Sequence, residues 1–158
     1  MSAPSILIVE DLPDSIELLK LAFKRTGVEA LLNFVREGEE AIAYLKGEGP
    51  FGNRNEYPLP AVLLLDLKMP SIDGFGVLEW LRKQPGLRLI VVVVLTTSDD
   101  PADIARAYES GANSYIVKPP DFHGLQQMVR ALENYWFRFN KCATSSYRGL
   151  RPILQIAP

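Results

Sequence analysis

Two kinds of hydrophobic pattern alternate five times along the chain. The first kind is a short, unbroken aliphatic run, clearest at Ser5–Val9 and Val62–Leu65. A run without polar alternation predicts a strand covered on both faces, which is typical of a parallel sheet in an α/β domain. Five such strands are predicted, at residues 5–9, 30–36, 62–65, 89–95 and 114–118, the second being the weakest.

Apolar residues at helical spacing follow each predicted strand. The predicted helices run from a cap at Asp14 or Ser15 to Gly27, over 39–46, from 75 to about 84, from Pro101 to Gly111, and over 122–139. The strand–helix alternation predicts helices on both faces of a parallel sheet, joined by right-handed crossovers.

Residues 47–60 interrupt this alternation between the second helix and the third strand. The segment contains three glycines and three prolines, which predict a long surface loop without regular structure. A loop of this length serves a function or a partner contact more often than a tight turn does, but a tolerated insertion remains an equal alternative.

The composition of the chain narrows the classes of protein to which it can belong. The 158 residues suit one domain, predicted at 1–140, followed by a tail at 141–158. A formal net charge of −2 argues against a general surface for nucleic acid or anionic membrane. Cys142 is the only cysteine and His123 the only histidine, so we expect no internal disulfide, no zinc site and a reducing cytoplasm. No signal peptide or membrane span is predicted at the N-terminus.

Polar residues stand where four of the predicted strands end: Glu10 and Asp11, then Asp66, Thr96 and Lys118. Each one alone reads more often as a cap or a solvated side chain. Parallel strands bring their carboxyl ends to one edge, however, so the joint pattern favours a site. Clustered carboxylates without His or Cys indicate Mg²⁺ or Mn²⁺. A carboxylate beside a cation and a lysine is suited to forming an aspartyl phosphate.

These residues, with Asp66-Leu67-Lys68-Met69-Pro70 and the run from Gly111 to Pro119, resemble the receiver domain of two-component response regulators over residues 5–140. The spacing agrees, with thirty residues from Asp66 to Thr96 and twenty-two from Thr96 to Lys118. The resemblance implies a flavodoxin-like fold, five parallel strands in the order 2-1-3-4-5.

The resemblance also implies a role for each site residue. Asp66 is then the phosphoacceptor for a histidine kinase, and Lys118 pairs with the phosphoryl oxygens. A cis peptide bond between Lys118 and Pro119 directs the lysine side chain. Asp11 binds Mg²⁺ directly and Glu10 through water, with Asp66 and the backbone carbonyl of Lys68 as further ligands.

Two further implied roles concern the switch and the phosphate lifetime. Thr96 turns toward the phosphoryl group, and Tyr115 follows it from an exposed to a buried position. Thr97 stands where the family usually has Ala or Gly, and Lys68 lies near the path of an attacking water, so both are expected to tune the phosphate lifetime.

The ends of the chain point to protein partners. The loop 47–60, the run Leu95 to Asp100 and the missing output domain resemble stand-alone regulators of phytochrome histidine kinases. A receiver without an output domain is not an enzyme beyond its own phosphorylation and autodephosphorylation.

A homodimer through the last two helices and last strand is expected, unless the aromatic helix end folds back on its own domain. The expected interface residues are Tyr135, Trp136, Phe139, Ile153, Leu154 and Ile156.

Single sequence features bear on three alternative functions. A Mg²⁺-dependent aspartyl-phosphate phosphatase of the haloacid dehalogenase type needs a second Asp where Lys68 stands. A nucleotide-binding switch lacks its Gly-rich phosphate loop. A phosphorylation-independent adaptor of the same fold remains open, although the complete set of acids, threonine and lysine disfavours it.

Overall fold

The computed structural model describes residues 3–142, and its architecture is a five-stranded parallel sheet between two layers of helices. The strands lie in the order β2-β1-β3-β4-β5, which confirms the predicted flavodoxin-like fold. The strands are β1 (Ser5–Val9), β2 (Leu31–Val35), β3 (Val62–Leu65), β4 (Val91–Thr96) and β5 (Ser114–Val117). The helices are α1 (Pro13–Thr26), α2 (Gly38–Lys46), α3 (Gly74–Arg82), α4 (Pro101–Glu109) and α5 (Phe122–Leu132).

Two hydrophobic cores explain why the strands are apolar without alternation. In β1, Leu7 and Val9 pack in the core under α2, α3 and α4, whereas Ile6 and Ile8 pack in the core under α1 and α5. Successive side chains of a strand point to opposite faces, so a strand with a helix layer on each side needs apolar residues at every position.

The start of α1 differs from the prediction. The N-cap is Leu12, and neither Asp14 nor Ser15 caps the helix. Pro13 occupies the first helical position, where its fixed φ angle suits the helix and its missing N–H costs nothing. The N–H of Leu12 donates to Glu10 Oε1 at 3.1 Å, so the helix start is tied to the acidic residue after β1.

The end of the last helix also differs. α5 ends at Leu132, and the chain continues as a wider π-helical segment over Glu133–Phe139 instead of an α-helix. Trp136 and Phe137 in this segment are partly buried against the core of α1 and α5, while Phe139 is 76% exposed. The wider turn shifts the helical register, so the aromatic residues divide between the core and the surface.

The loop 47–60 is better ordered than predicted, because it contains a 3₁₀ turn at Gly49–Phe51. Arg54 Nη1 donates to the carbonyl oxygens of Tyr44 at 2.7 Å and Tyr57 at 3.1 Å, and its Nη2 donates to Leu45 at 2.8 Å. These carbonyls include two at the end of α2, which have no partners within the helix. The Arg54 guanidinium therefore adds to the backbone cap at Gly47 and anchors the loop to the end of α2.

Aromatic packing adds a second anchor to the same loop. The Tyr44 ring lies 5.2 Å from the Phe51 ring and 5.9 Å from the Tyr57 ring, and the Tyr44 hydroxyl donates to the Pro58 carbonyl at 2.9 Å. The glycines and prolines suppress long helices and strands here, but they leave room for side-chain packing.

Candidate functional site

The three acidic residues meet at the carboxyl edge of the sheet because β1 and β3 are neighbours. Val9 pairs with Leu65, so Glu10 and Asp66 leave their strands side by side. The backbone N–H of Asp66 donates to the Val9 carbonyl at 3.1 Å. Glu10, Asp11 and Asp66 each offer a carboxylate oxygen, and these three oxygens lie within 4.8 Å of one another.

Lys118 reaches this acidic pocket from the end of β5. Its Nζ lies 2.5 Å from Glu10 Oε2 and 3.5 Å from Asp66 Oδ2, and its side chain is 12% exposed. The peptide bond between Lys118 and Pro119 is trans, so the expected cis bond is wrong. The lysine side chain is long enough to reach both carboxylates from a trans backbone.

Thr96 lies between Lys118 and the acids, at the end of β4. Its carbonyl accepts a hydrogen bond from the Lys118 backbone N–H at 2.7 Å, and its side chain is fully buried. The Thr96 hydroxyl makes no hydrogen bond with any described residue. A buried hydroxyl without a partner is costly, so this atom is available to a group that enters the pocket.

The pocket carries more negative than positive charge, since one ammonium faces three carboxylates. Burial raises the pKa of the 1% exposed Glu10 above its ordinary value, and the facing Lys118 only partly opposes this rise. The buried Asp11 Oδ1 makes no hydrogen bond among residues 3–142. Clustered hard oxygen atoms of this kind fit a divalent cation such as Mg²⁺.

Gly74, the first residue of α3, packs against the backbone of the acidic pocket, a contact that the sequence pattern did not indicate. A Cβ atom at Gly74 would collide with the carbonyl oxygen of Asp66 and the Cα of Leu67. The Gly74 N–H donates to the Leu67 carbonyl at 3.1 Å, and the neighbouring Asp73 caps α3 by accepting from Gly76. Only glycine lets α3 start this close to the Asp66 backbone.

Comparison with known proteins establishes the family. Residues 6–130 match the response regulator receiver domain family. The chain belongs to this family. It is 40% identical to the probable methanogenesis regulatory protein FilR2 of Methanothrix harundinacea, over 86% of this chain and 85% of FilR2. It is 36% identical to response regulator Rcp1 of Synechocystis, over 83% of this chain and 87% of Rcp1.

Solved structures of response regulators have the same fold as this chain. The phosphorylated cyanobacterial phytochrome response regulator RcpA superimposes with a TM-score of 0.82 at 35% identity, covering 90% of this chain and all of RcpA. Rcp1 has been solved in a Mn²⁺-bound form, with a TM-score of 0.78 and 34% identity over 88% of this chain and 98% of that one.

Lys68 of this receiver contacts Asp66 only through its backbone. Its N–H donates to Asp66 Oδ1 at 3.3 Å, whereas its Nζ lies 3.2 Å from Asp103 Oδ2 on α4. The Asp103 contact was missed from the sequence, because no local pattern links the loop after β3 with a residue on α4. Thr97 is exposed, at the loop after β4.

Tyr115, the predicted switch residue, is half-buried on β5. Its hydroxyl donates to the Ser98 carbonyl at 2.8 Å, and its ring packs against the core under α2, α3 and α4. Burial raises the pKa of the Tyr115 phenol. The side chain therefore links β5 to the loop between Thr96 and α4 in this receiver.

The predicted interface residues are only partly within the described range. Tyr135 and Trp136 line a groove of about 370 Å³ between β5 and α5, together with Ile116, Met128 and Leu132. Ile153, Leu154 and Ile156 lie outside the described residues. Their part in an interface stays a prediction. Within residues 3–142, no helix is long and apolar enough to cross a membrane.

Proposed function

We propose that this receiver accepts a phosphoryl group on Asp66 from a histidine kinase, with Mg²⁺ in the acidic pocket, and signals through protein contacts. The observation that carries the proposal is the position of Asp66. Its carboxylate is 5% exposed, lies at the carboxyl edge of the sheet, and shares Lys118 with Glu10. Membership of the receiver family supports the same reading.

Glu10, Asp11, Asp66 and the Lys68 carbonyl would hold Mg²⁺. The ion, when bound, offsets the negative charge of the carboxylates and of the incoming phosphoryl oxygens. Asp11 has a buried oxygen without a hydrogen-bond partner in the part of the chain that the structure describes, which supports its direct ligation. Glu10 already binds Lys118, which supports a less direct role through water.

The transfer itself follows from the positions of the protein groups. A carboxylate oxygen of Asp66 forms the bond to phosphorus as the bond from phosphorus to the kinase histidine nitrogen breaks. Lys118, 3.5 Å from Asp66 Oδ2, is placed to pair with the phosphoryl oxygens. The unpartnered Thr96 hydroxyl is placed to donate to the same group.

The change at Thr96 then reaches Tyr115. Thr96 and Val117 are paired residues of β4 and β5, and Tyr115 stands two residues before Val117. A threonine that turns to the phosphoryl group frees space beside β5, and Tyr115 leaves the Ser98 carbonyl to occupy it. Phosphorylation thereby alters the surface of α4 and β5.

A phytochrome-type histidine kinase is the partner we infer. The support is the likeness to RcpA, described as a phytochrome response regulator, over the whole RcpA chain. A homodimer through α4, α5 and β5 is part of the same proposal, supported by the exposed Phe139 and the groove beside Tyr135 and Trp136. We place the protein in the cytoplasm, where such kinases present their phosphohistidine.

Labelling with acetyl phosphate tests the core of the proposal. Wild type incubated with Mg²⁺ should take up one phosphoryl group, and Asp66→Asn or excess EDTA should abolish uptake. Equal signals from wild type and Asp66→Asn would favour the phosphorylation-independent adaptor. Because a receiver that autodephosphorylates also turns over acetyl phosphate, the result that would favour the phosphatase is catalytic release of phosphate from a phosphate monoester. Transfer from a phosphorylated phytochrome kinase, compared with unrelated kinases, tests the partner.

A further inference from the structure

A chain of polar contacts joins the loop after β3 to the start of α4, outside the acidic pocket. Lys68 Nζ lies 3.2 Å from Asp103 Oδ2, and the same oxygen accepts a hydrogen bond from Ser98 Oγ at 2.6 Å. Ser98 and Lys68 therefore meet at one oxygen of the Asp103 carboxylate.

Lys68 starts beside one anion and points to another. Its backbone N–H binds Asp66, yet its flexible side chain, 63% exposed, extends to Asp103 on α4. Before phosphorylation Asp66 already faces Lys118, and Asp103 is held in place by Ser98. A phosphoryl group on Asp66 adds negative charge within reach of Lys68. The two anions then compete for one ammonium.

We propose that Asp103 is a positioning residue that holds the Lys68 ammonium away from Asp66 and thereby sets the lifetime of the aspartyl phosphate. The inference rests on the proposed function of Asp66. It goes beyond that function, because it assigns a role to a side chain on α4 that lies outside the acidic pocket.

The lifetime of the aspartyl phosphate depends on how easily water reaches the phosphorus atom. A water oxygen forms a bond to phosphorus while the bond from phosphorus to the Asp66 oxygen breaks. The electron pair of that bond returns to the carboxylate, and the water proton leaves with inorganic phosphate. An ammonium released from Asp103 binds the phosphoryl oxygens and obstructs the approaching water. An ammonium held on Asp103 leaves that approach open.

A double-mutant cycle in the full chain tests the inference. Wild type, Asp103→Asn, Lys68→Met and the double variant are labelled with acetyl phosphate and Mg²⁺, the donor is removed, and remaining phosphoprotein is followed over time. Asp103→Asn should lengthen the half-life about two- to fivefold, the range expected for an exposed ion pair. The same substitution should have no effect in the Lys68→Met background.

Two controls separate positioning from a general effect on the fold. Glu79→Gln removes an ion pair between α3 and α4, at 3.7 Å from Arg106, without touching Lys68, and should leave the half-life unchanged. The Asp103→Asn effect should also shrink as NaCl is raised, because salt screens an exposed ammonium.

Each outcome decides the matter. An unchanged half-life in Asp103→Asn overturns the inference, and so does an equal change with and without Lys68, which would show that Asp103 acts through the fold. If wild type takes up no label, like Asp66→Asn, the proposed function fails and the positioning role fails with it. Uptake on Asp66 with no coupling between Lys68 and Asp103 overturns the positioning role alone.

Discussion

Replacing Asp11 with Asn should stabilise the metal-free protein, because the acidic pocket stores electrostatic repulsion. The carboxylate oxygens of Glu10, Asp11 and Asp66 lie within 4.8 Å of one another. Two unit charges 4.8 Å apart repel by about 3.5 kcal/mol at an effective dielectric constant of about 20. Asp11 takes part in two such pairs, whereas Lys118 contacts Glu10 and Asp66.

Solvent screening reduces this figure, since Asp11 is only partly buried. We therefore expect Asp11→Asn to raise the free energy of unfolding by about 1–2 kcal/mol in EDTA, or Tm by roughly 2–8 °C. Urea unfolding followed by circular dichroism measures the difference. Asp14→Asn is the matched control, because Asp14 is an exposed acid in the first turn of α1 and should give no such gain.

Mg²⁺ should reverse the advantage of Asp11→Asn. A cation held by the wild-type carboxylates at one hundred times its Kd adds about 2.7 kcal/mol to the free energy of unfolding. The variant has lost a ligand and should gain less. The electrostatic reasoning is refuted if Asp11→Asn is no more stable than wild type in EDTA. An identical difference with and without Mg²⁺ would refute the assignment of Asp11 as a metal ligand.

Three more predictions concern the framework around the site. Gly74→Ala should cost about 1–3 kcal/mol in urea unfolding because its Cβ meets the Asp66 carbonyl, whereas Gly52→Ala, with ordinary contacts only, should be tolerated. Burial raises the pKa of Tyr44 to about 12. The stabilisation that the protonated Tyr44 phenol gives the folded state is therefore complete below pH 10 and is lost as the pH rises toward 12. Tyr44→Phe should remove this part of the alkaline loss of stability, and an unchanged profile would contradict it. Arg54→Met should open the loop 47–60 and expose it to limited proteolysis, while Asp66→Asn should leave the cleavage pattern unchanged.

The order of elements and the location of the chemistry could be read from the chain. Aliphatic runs such as Ser5–Val9 predicted buried parallel strands, because helices on both faces require apolar side chains at every position. Parallel strands share one carboxyl edge, so the acids after β1 and β3 could be expected to meet. Both inferences depend on local pattern and on general rules of topology.

The choice of partner for each side chain depended on packing between distant segments. Lys118 lies closer to Glu10 than to Asp66, and the Lys68 side chain contacts Asp103. The spacing of these residues along the sequence predicts neither contact. The sequence likewise did not predict the trans bond before Pro119 or the contact of the Arg54 guanidinium with the end of α2. Hydrophobic periodicity records which face of an element is buried, whereas a polar contact is set by the distance between side chains that folding brings together.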